Sequence, residues 1–357
     1  MSAPQAVQRV RDMRLRSHRL TAPVATTTAA AEHMLATQAQ EFWGGRWALA
    51  ARTKGEPTLS EVDAAFDDGT LVRSWTARGT IHIIPSRHLH WVLALTGERQ
   101  FRAAASRHRR LGLGAGELAR AEAAITSALT GGNRLSRSEV FELLRGIGID
   151  PRDQRGVHVL YALSVRGAIL QGPVVPREGA PSREQYVMMA DEWIVDRWTP
   201  EEPLTEFFVR YIVSHGPAGT ADFAWWAGLP IGMARTAAAG EDPRLTRIDD
   251  DLWVASDLPR RHPTAPEVFA LPPFEEYYLS YADRSISCAP EHGPAVMTGG
   301  VMRPILVARG EIVATWSHSH SLARLNADPS AEQLIRGSMT DVEASGALER
   351  YRRFMRG

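Results

Sequence analysis

The sequence predicts an α+β fold in which three tandem winged-helix units precede a C-terminal β-barrel-like region and a terminal helix. Two observations lead to this prediction. The same order of elements, helices followed by two short strands, occurs three times before about residue 260. From about Val268 onward, runs of β-branched and aromatic residues replace the helical pattern until the last segment of the chain.

The first unit begins near Thr28 with two helical stretches. In the following segment, TLSEVDAAF, Thr58 and Glu61 have the spacing of a capping box, which marks the start of a helix. The strands TLVRSW and TIHIIP come next and are rich in β-branched and aromatic residues. They predict a hairpin wing near residues 71–84.

The second unit begins at SRSEVFELLRGIG, where Ser136 and Glu139 repeat the capping-box spacing. Its strands AILQGP and QYVMMA predict a wing near residues 168–189. The third unit begins with the helical segment PLTEFFVRYIV, and RLTRIDDDLWVA predicts its wing near residues 245–254. Each unit thus matches a helix-turn-helix followed by a β-hairpin.

The C-terminal part contains the strands VFALPPF, RPILVARG and EIVATW, followed by the helical segment DVEASGALERYRRFMRG. We expect a small β-barrel or sheet closed by that helix. The predicted domains are residues 1–90, an N-terminal arm with the first winged helix; 91–200, connecting helices with the second; 201–260, the third; and 261–357, the C-terminal β region with the terminal helix.

Composition limits the cellular setting. Apolar residues make up 44% of the 357, yet no window is long and apolar enough for a membrane helix. The N-terminal twenty residues lack the apolar core of a secretory signal. Cys288 is the only cysteine, which excludes an internal disulfide and a thiolate-based zinc site. These features predict a cytoplasmic protein that does not associate with membranes.

Positive charge is carried almost entirely by arginine, since Lys54 is the only lysine, and the net charge is zero. Arginines form three clusters, near residues 9–19, 99–110 and 350–356. The planar guanidinium suits phosphate, so each cluster is a candidate contact with nucleic acid. Solvated helix faces in an arginine-rich chain are the competing interpretation of each cluster.

Other patterns favour structural roles. His88-x-His90 and His318-x-His320 could each bring two histidines to one side of a strand, but neither pair has a third ligand at a recognisable spacing. The aromatic group Phe223, Trp225 and Trp226 is typical of core packing, with base stacking as the alternative. Nucleotide-binding, serine-hydrolase and zinc-protease motifs do not occur. The sequence therefore predicts neither a metal nor another cofactor.

Gln38 and Gln40 flank an alanine in LATQAQEFWGG, between an apolar helical run and the expected break at Gly44-Gly45. In a continuous helix, residues i and i+2 point in nearly opposite directions. In an extended segment they fall on one side. The two amides could therefore share a site only if the helix ends near Gln38. Two surface glutamines at a helix end are the alternative.

Four segments together resemble the winged-helix DNA glycosylases related to AlkZ and YcaQ. They are LATQAQEFWGGRWALAART, LVRSWTARGTIHIIP, YIVSHGPAGTADFAWWAGL and LPPFEEYYLSYADRS. The resemblance extends over nearly the whole chain. It implies three winged helices around a C-shaped DNA channel and removal of N7-alkylated purines and some interstrand crosslinks. Several members protect producers of DNA-alkylating antibiotics.

The catalytic motif of the family is glutamine, an apolar residue, then glutamine or aspartate. The resemblance places it on Gln38 and Gln40, and the second glutamine indicates the AlkZ-like branch. An N7-alkylated purine already carries a positive charge, so it leaves as a neutral base without a general acid. Two amides could then aim the attacking water and face the developing sugar cation. The stretch SHSHS after VATW departs from the expected basic strand, and no DNA contact is assigned to it.

The resemblance thus implies a monofunctional DNA glycosylase that binds double-stranded DNA containing alkylated purines as a monomer. Gln40 would aim the water and Gln38 would support it. Arg73 and Arg78 on the first wing are the expected phosphate contacts. A winged-helix transcription factor or a non-catalytic binder of DNA damage remains an alternative, and it would not need the two amides to converge.

Overall fold

A computed structural model describes residues 2–317 and 329–356. The chain divides into two compact units, one formed by residues 1–62 and 204–357 and the other by residues 63–203. Helices and strands occur in both units, as the predicted α+β class requires. None of the helices in these described ranges is long and apolar enough to cross a membrane.

The first unit begins with a series of helices whose bounds are Ala3–Ser17, Thr27–Met34 and Phe42–Ala51, with the short strand Thr37–Gln38 between the last two. The next helix, Leu59–Asp67, leads into the second unit. Its start confirms the first capping box, because the main-chain N–H of Thr58 donates to Glu61 and that of Glu61 donates to the Thr58 hydroxyl.

Helices and two hairpins make up the second unit. Its helices are Leu89–Ala103, Ala105–Arg110, Ala115–Leu129, Arg137–Gly146, Arg155–Val165 and Ala190–Trp193, with 3-10 turns at Ala77–Gly79 and Ser86–His88. The side chain of Ser136 caps the fourth of these helices, as the second capping box predicts. A Cβ on Gly97 would lie only 2.1 Å from the carbonyl oxygen of Val165, so glycine is needed where two helices pack this closely.

The four strands of the second unit lie side by side in the order Ile81–Pro85, Leu71–Trp75, Ile169–Val174, Gln185–Met189. They form hairpins at the first two predicted wing positions. The two hairpins are not separate, because Arg73 pairs with Gln171 across their edges. Edge strands present unpaired backbone groups, and this pairing satisfies some of them.

The remainder of the first unit begins with three helices, and the third hairpin follows at the third predicted wing position. The helices are Pro203–His215, Thr220–Ala227 and Ile231–Ala238, and the strands are Leu245–Asp249 and Leu252–Ala255. Aromatic rings pack these helices together. The ring centroid of Trp226 lies 5.1 Å from that of Phe207 and 5.0 Å from that of Tyr211. This packing fixes the position of the Trp226 indole.

The C-terminal β region is an open antiparallel sheet, and the expectation of a barrel-like region is wrong for the described residues. Its strands lie in the order Ser330–Gln333, Glu311–Ser317, Ile305–Ala308, Val268–Leu271, and a separate small hairpin pairs Met297–Thr298 with Val301–Met302. Short helices or turns lie at Glu276–Leu279, Pro290–His292 and Gly293–Val296. A sheet of four short strands is too narrow to curl onto itself.

The terminal helix, Asp341–Arg356, confirms the last predicted element. Its aromatic side chains pack on the helix Phe42–Ala51 and on the C-terminal sheet. The Tyr351 ring centroid lies 5.4 Å from that of Trp47 and 4.9 Å from that of Trp316. The helix that follows the two glutamines is therefore held by the C-terminal part of the same unit.

Candidate active site

Gln38 and Gln40 lie on a non-helical link between the helices Thr27–Met34 and Phe42–Ala51. The first helix ends in a γ-turn at Leu35, where φ is 61° and ψ is −54°. The main-chain N–H of Ala36 donates to the carbonyl oxygen of Met34 at 2.7 Å and closes this turn. A γ-turn with positive φ is rare and strained, and such backbone strain concentrates at functional sites.

The expected break at Gly44-Gly45 is wrong. Both glycines lie inside the helix Phe42–Ala51, and the chain leaves helical geometry nine residues earlier, at Leu35. Gly44 allows close packing instead, because a Cβ at this position would lie 3.2 Å from the Cβ of Pro272. The helix before the motif ends at Met34, four residues before Gln38.

The two amides differ in exposure. Gln38 is buried, with 6% of its surface exposed, whereas Gln40 is exposed to solvent. Ala39 between them is buried. Gln38 lies in the short strand Thr37–Gln38, outside the preceding helix. Convergence of the two side chains stays a prediction.

The buried carboxylate of Glu276 anchors this link. The main-chain N–H of Gln38 donates to its Oε1 at 2.7 Å. Its Oε2 accepts a hydrogen bond from Nε1 of Trp226 at 3.0 Å and another from the hydroxyl of Ser280. Only 1% of Glu276 is exposed, so these donors replace the water that a free carboxylate would bind.

The preceding residue, Glu275, forms a buried ion pair with Arg52. Neither side chain is exposed. Arg52 also donates to Nδ1 of His18 at 3.3 Å, and Nε2 of His18 lies 2.8 Å from the hydroxyl of Tyr281. That hydroxyl donates to the carbonyl oxygen of His215, so Nε2 of His18 must carry the proton that it shares with Tyr281.

The histidines around this cluster are held neutral. Burial lowers the pKa of His18 well below its usual value, and nearby His215 and Arg52 lower it further. Burial also lowers the pKa of His215, although Glu276, whose Oε2 lies 3.7 Å from its Nε2, acts in the opposite direction. Arg14, Arg52, Glu275 and Glu276 are also buried.

A family model described as "DNA glycosylase AlkZ-like" matches residues 31–354. The chain belongs to the AlkZ-like DNA glycosylase family. It is accordingly a DNA-binding repair enzyme of the glycosylase class. Family membership confirms the prediction of a DNA glycosylase and argues against the alternative of a transcription factor.

The fold of this glycosylase is similar to that of a solved structure, the Streptomyces sahachiroi DNA glycosylase AlkZ. The TM-score is 0.76 at 20% sequence identity, and the similarity covers 98% of this chain and 96% of the other. No curated protein matches the sequence.

The sequence interpretation did not identify Glu275 or Glu276 as members of the site. A usable signal was present in PPFEEYYLSY, where two adjacent acids stand within an apolar and aromatic segment. Acidic residues are rarely buried unless they have partners, so such a setting indicates a buried polar cluster.

Arg73 and Arg78, the expected phosphate contacts, both lie in the second unit and are partly exposed. A guanidinium nitrogen of Arg73 donates to Oε1 of Gln171 at 2.7 Å. Arg78 occupies the turn between the two strands of the first hairpin, with φ at 54°. Their contact with DNA stays a prediction.

The arginine clusters divide by role. Arg14 is buried, donates to the carbonyl oxygen of Pro217 and lies 3.6 Å over the Tyr281 ring. Arg350 donates to main-chain carbonyls of the helix Phe42–Ala51. These two arginines hold the first unit together, which neither interpretation of the clusters foresaw. In the cluster at residues 99–110, by contrast, Arg109 and Arg110 are exposed to solvent.

The histidine pairs and the aromatic group noted in the sequence show no sign of a metal site in the described residues. Within residues 2–317 and 329–356, no group of three His, Cys, Asp or Glu side chains could hold a metal ion. Nδ1 of His88 accepts a hydrogen bond from Trp91, whereas His318 and His320 lie outside the described residues. Phe223 and Trp226 are core residues, as predicted, but Trp225 is 45% exposed.

Proposed function

We propose that this glycosylase excises cationic N7-alkylated purines from double-stranded DNA, including bulky adducts and interstrand crosslinks, with Gln38 and Gln40 at the reaction centre. The observation that carries the proposal is the fixed link between two helices. Its γ-turn, its buried Gln38 and its hydrogen bond to Glu276 hold a short polar segment in one conformation, with Gln40 at the surface.

The chemistry requires little from the protein. The bond between C1′ and the purine nitrogen breaks, and its electron pair neutralises the cationic base. Water adds to C1′ and releases its proton to solvent. An amide oxygen of Gln40 would accept a hydrogen bond from that water and aim it, while the amide dipoles face the oxocarbenium-like sugar. No cofactor takes part in these steps.

The fold supports a winged-helix arrangement for DNA binding. Hairpins follow helices at Leu71–Pro85, Ile169–Met189 and Leu245–Ala255, which are the three positions that the sequence predicted. We propose that these are the wings of three units around a C-shaped DNA channel, with Arg73 and Arg78 against phosphates. We further propose that the protein acts as a cytoplasmic monomer. Self-resistance to a DNA-alkylating antibiotic would be one use of this activity.

Single-turnover excision from a duplex with one N7-methylguanine, followed by detection of the abasic site, tests the proposal. Gln40→Ala should slow excision by about 10²–10³-fold, as removal of one preorganised polar group does, and Gln38→Ala should also slow it. Gln40→Asp should retain activity, because a carboxylate can also aim water and face a cation. Binding of the same duplex, measured by fluorescence anisotropy, should change little.

Glu41 provides the matched control. It is an exposed carboxylate directly after Gln40 and has no capping hydrogen bond to the helix that it precedes. Glu41→Gln should leave the rate nearly unchanged if amides suffice. A large loss in Glu41→Gln, or equal excision by the wild type and by Gln38→Ala/Gln40→Ala, would contradict the proposed chemistry.

A further inference from the structure

We propose that Glu276 is a positioning residue for base excision, which holds the main chain of Gln38 in its reactive conformation. The inference rests on the proposed function, since it takes Gln38 as part of the reaction centre. Its basis is the 2.7 Å hydrogen bond from the main-chain N–H of Gln38 to Oε1 of Glu276. This contact joins the glutamine link to a segment 238 residues further along the chain.

Three donors from three elements converge on this one carboxylate. Gln38 belongs to the link, Trp226 to the helix Thr220–Ala227, and Ser280 follows the helix Glu276–Leu279. Each of the last two donates to Oε2, opposite the oxygen that receives Gln38. Hydrogen bonds to an ionised acceptor are stronger than neutral ones, so the carboxylate fixes the link against two rigid elements.

The neighbouring carboxylate shows that the arrangement is specific to Glu276. Glu275 is equally buried, but it forms an ion pair with Arg52 and caps the helix Glu276–Leu279 through the N–H of Tyr277. Glu276 instead reaches the main chain of the link directly. Because the strained turn at Leu35 directs the chain into this segment, a buried anchor is needed to keep the link from relaxing.

A glutamine cannot replace this carboxylate without conflict. It offers one acceptor oxygen, whereas Glu276 presents an oxygen both to Gln38 and to Trp226. In Glu276→Gln, the amide NH₂ must face either the Gln38 N–H or the indole N–H, two donors that cannot accept. Ser280 can adapt, because a hydroxyl can also accept. The substitution therefore changes hydrogen bonding at almost constant volume.

The central experiment compares Glu276→Gln with the wild type on the N7-methylguanine duplex. We expect the single-turnover rate to fall by about 10²-fold, the scale of a misplacement of roughly 1 Å at a reacting group, with DNA affinity nearly unchanged. The decisive measurement repeats the substitution in the Gln38→Ala/Gln40→Ala background, because the main-chain hydrogen bond positions the whole link that carries both amides. If Glu276 acts by positioning the two glutamines, Glu276→Gln should cause little further loss in that background. General damage to the fold would instead lower the rate by the same factor as it does in the wild-type background.

A second substitution should relieve the conflict. Trp226→Phe removes the indole donor, so in Glu276→Gln/Trp226→Phe the amide oxygen can face Gln38 while the NH₂ faces Ser280. The double variant should excise faster than Glu276→Gln alone, although Trp226 is fully buried and its loss should lower thermal stability. A defect that is only structural would become worse. Equal or slower excision by the double variant would count against the inference.

Tyr277→Phe is the matched control. It removes a buried hydrogen bond from the Tyr277 hydroxyl to the carbonyl oxygen of Gly310, one residue from Glu276 and away from the link. Its excision rate should equal that of the wild type. If Glu276→Gln does not fold, Glu276→Asp keeps the charge but shortens the side chain by one methylene, and it should also slow excision.

The outcomes separate the two proposals. Equal excision by the wild type and by Gln38→Ala/Gln40→Ala would overturn the proposed function itself. Excision that needs Gln38 but proceeds at the wild-type rate in Glu276→Gln or Glu276→Asp would overturn only the inference. Equal factors of loss in the wild-type and Gln38→Ala/Gln40→Ala backgrounds would overturn it as well.

Discussion

The ion pair between Glu275 and Arg52 should contribute far more to stability than an ion pair at the surface, and Glu275→Gln tests this. Both side chains are completely buried. Removing one charge leaves the guanidinium without a counter-charge in a low-dielectric interior. Loss of one partner from a buried pair costs about 3–5 kcal/mol. Because glutamine can still accept one hydrogen bond from Arg52, we expect the lower end of that range.

The chain offers a matched surface pair. Arg353 and Glu56 also join distant parts of the first unit, at 2.5 Å, but their side chains are 49% and 57% exposed. Water and salt screen such a pair, so Glu56→Gln should cost no more than about 1 kcal/mol. The pair of variants therefore isolates the effect of burial on one kind of interaction.

The assay is urea-induced unfolding followed by far-UV circular dichroism, with the wild type and both variants at pH 7 and the same salt concentration. The double variant Arg52→Met/Glu275→Gln should be less destabilised than the sum of the single substitutions, because it also removes the uncompensated charge. Equal losses for Glu275→Gln and Glu56→Gln would refute the reasoning.

Three further predictions concern pH, salt and metals. Burial lowers the pKa of His18 and His215, so the unfolded chain binds protons below pH 6.5 that the folded chain does not. Stability should therefore fall between pH 7 and pH 5, by no more than about 2 kcal/mol per histidine, and urea titrations at both pH values would measure the loss. The logarithm of DNA affinity should fall with the logarithm of salt concentration at a slope of about −0.9 per phosphate contacted. Arg73→Ala and Arg78→Ala should each reduce the size of that slope by about 1, and a flat salt response would exclude phosphate-driven binding. Excess chelator should leave excision unchanged, whereas activity lost to chelation and restored by zinc would favour a metal mechanism.

Local chemistry determined much of the secondary structure in advance. The capping boxes at Thr58 and Ser136 form as predicted, because a capping box needs only residues three apart. The three hairpins and the terminal helix also lie where their sequence patterns place them. The motif that carries Gln38 and Gln40 could be located from the sequence as well, although only through its resemblance to a family.

Contacts between distant residues decided the rest. Gly44 looked like a helix breaker, but its missing side chain lets a helix approach Pro272, which no local pattern reveals. The anchor of Gln38 is Glu276, 238 residues away. Its aromatic surroundings in the sequence indicate a buried acid, but only the folded chain shows which donors its carboxylate holds. Arg14 likewise looked like a charge for DNA until burial against Tyr281 gave it another role. The physical reason is common to all three: a short-range pattern fixes backbone geometry, whereas burial and long-range partners determine what a glycine, a carboxylate or a guanidinium does.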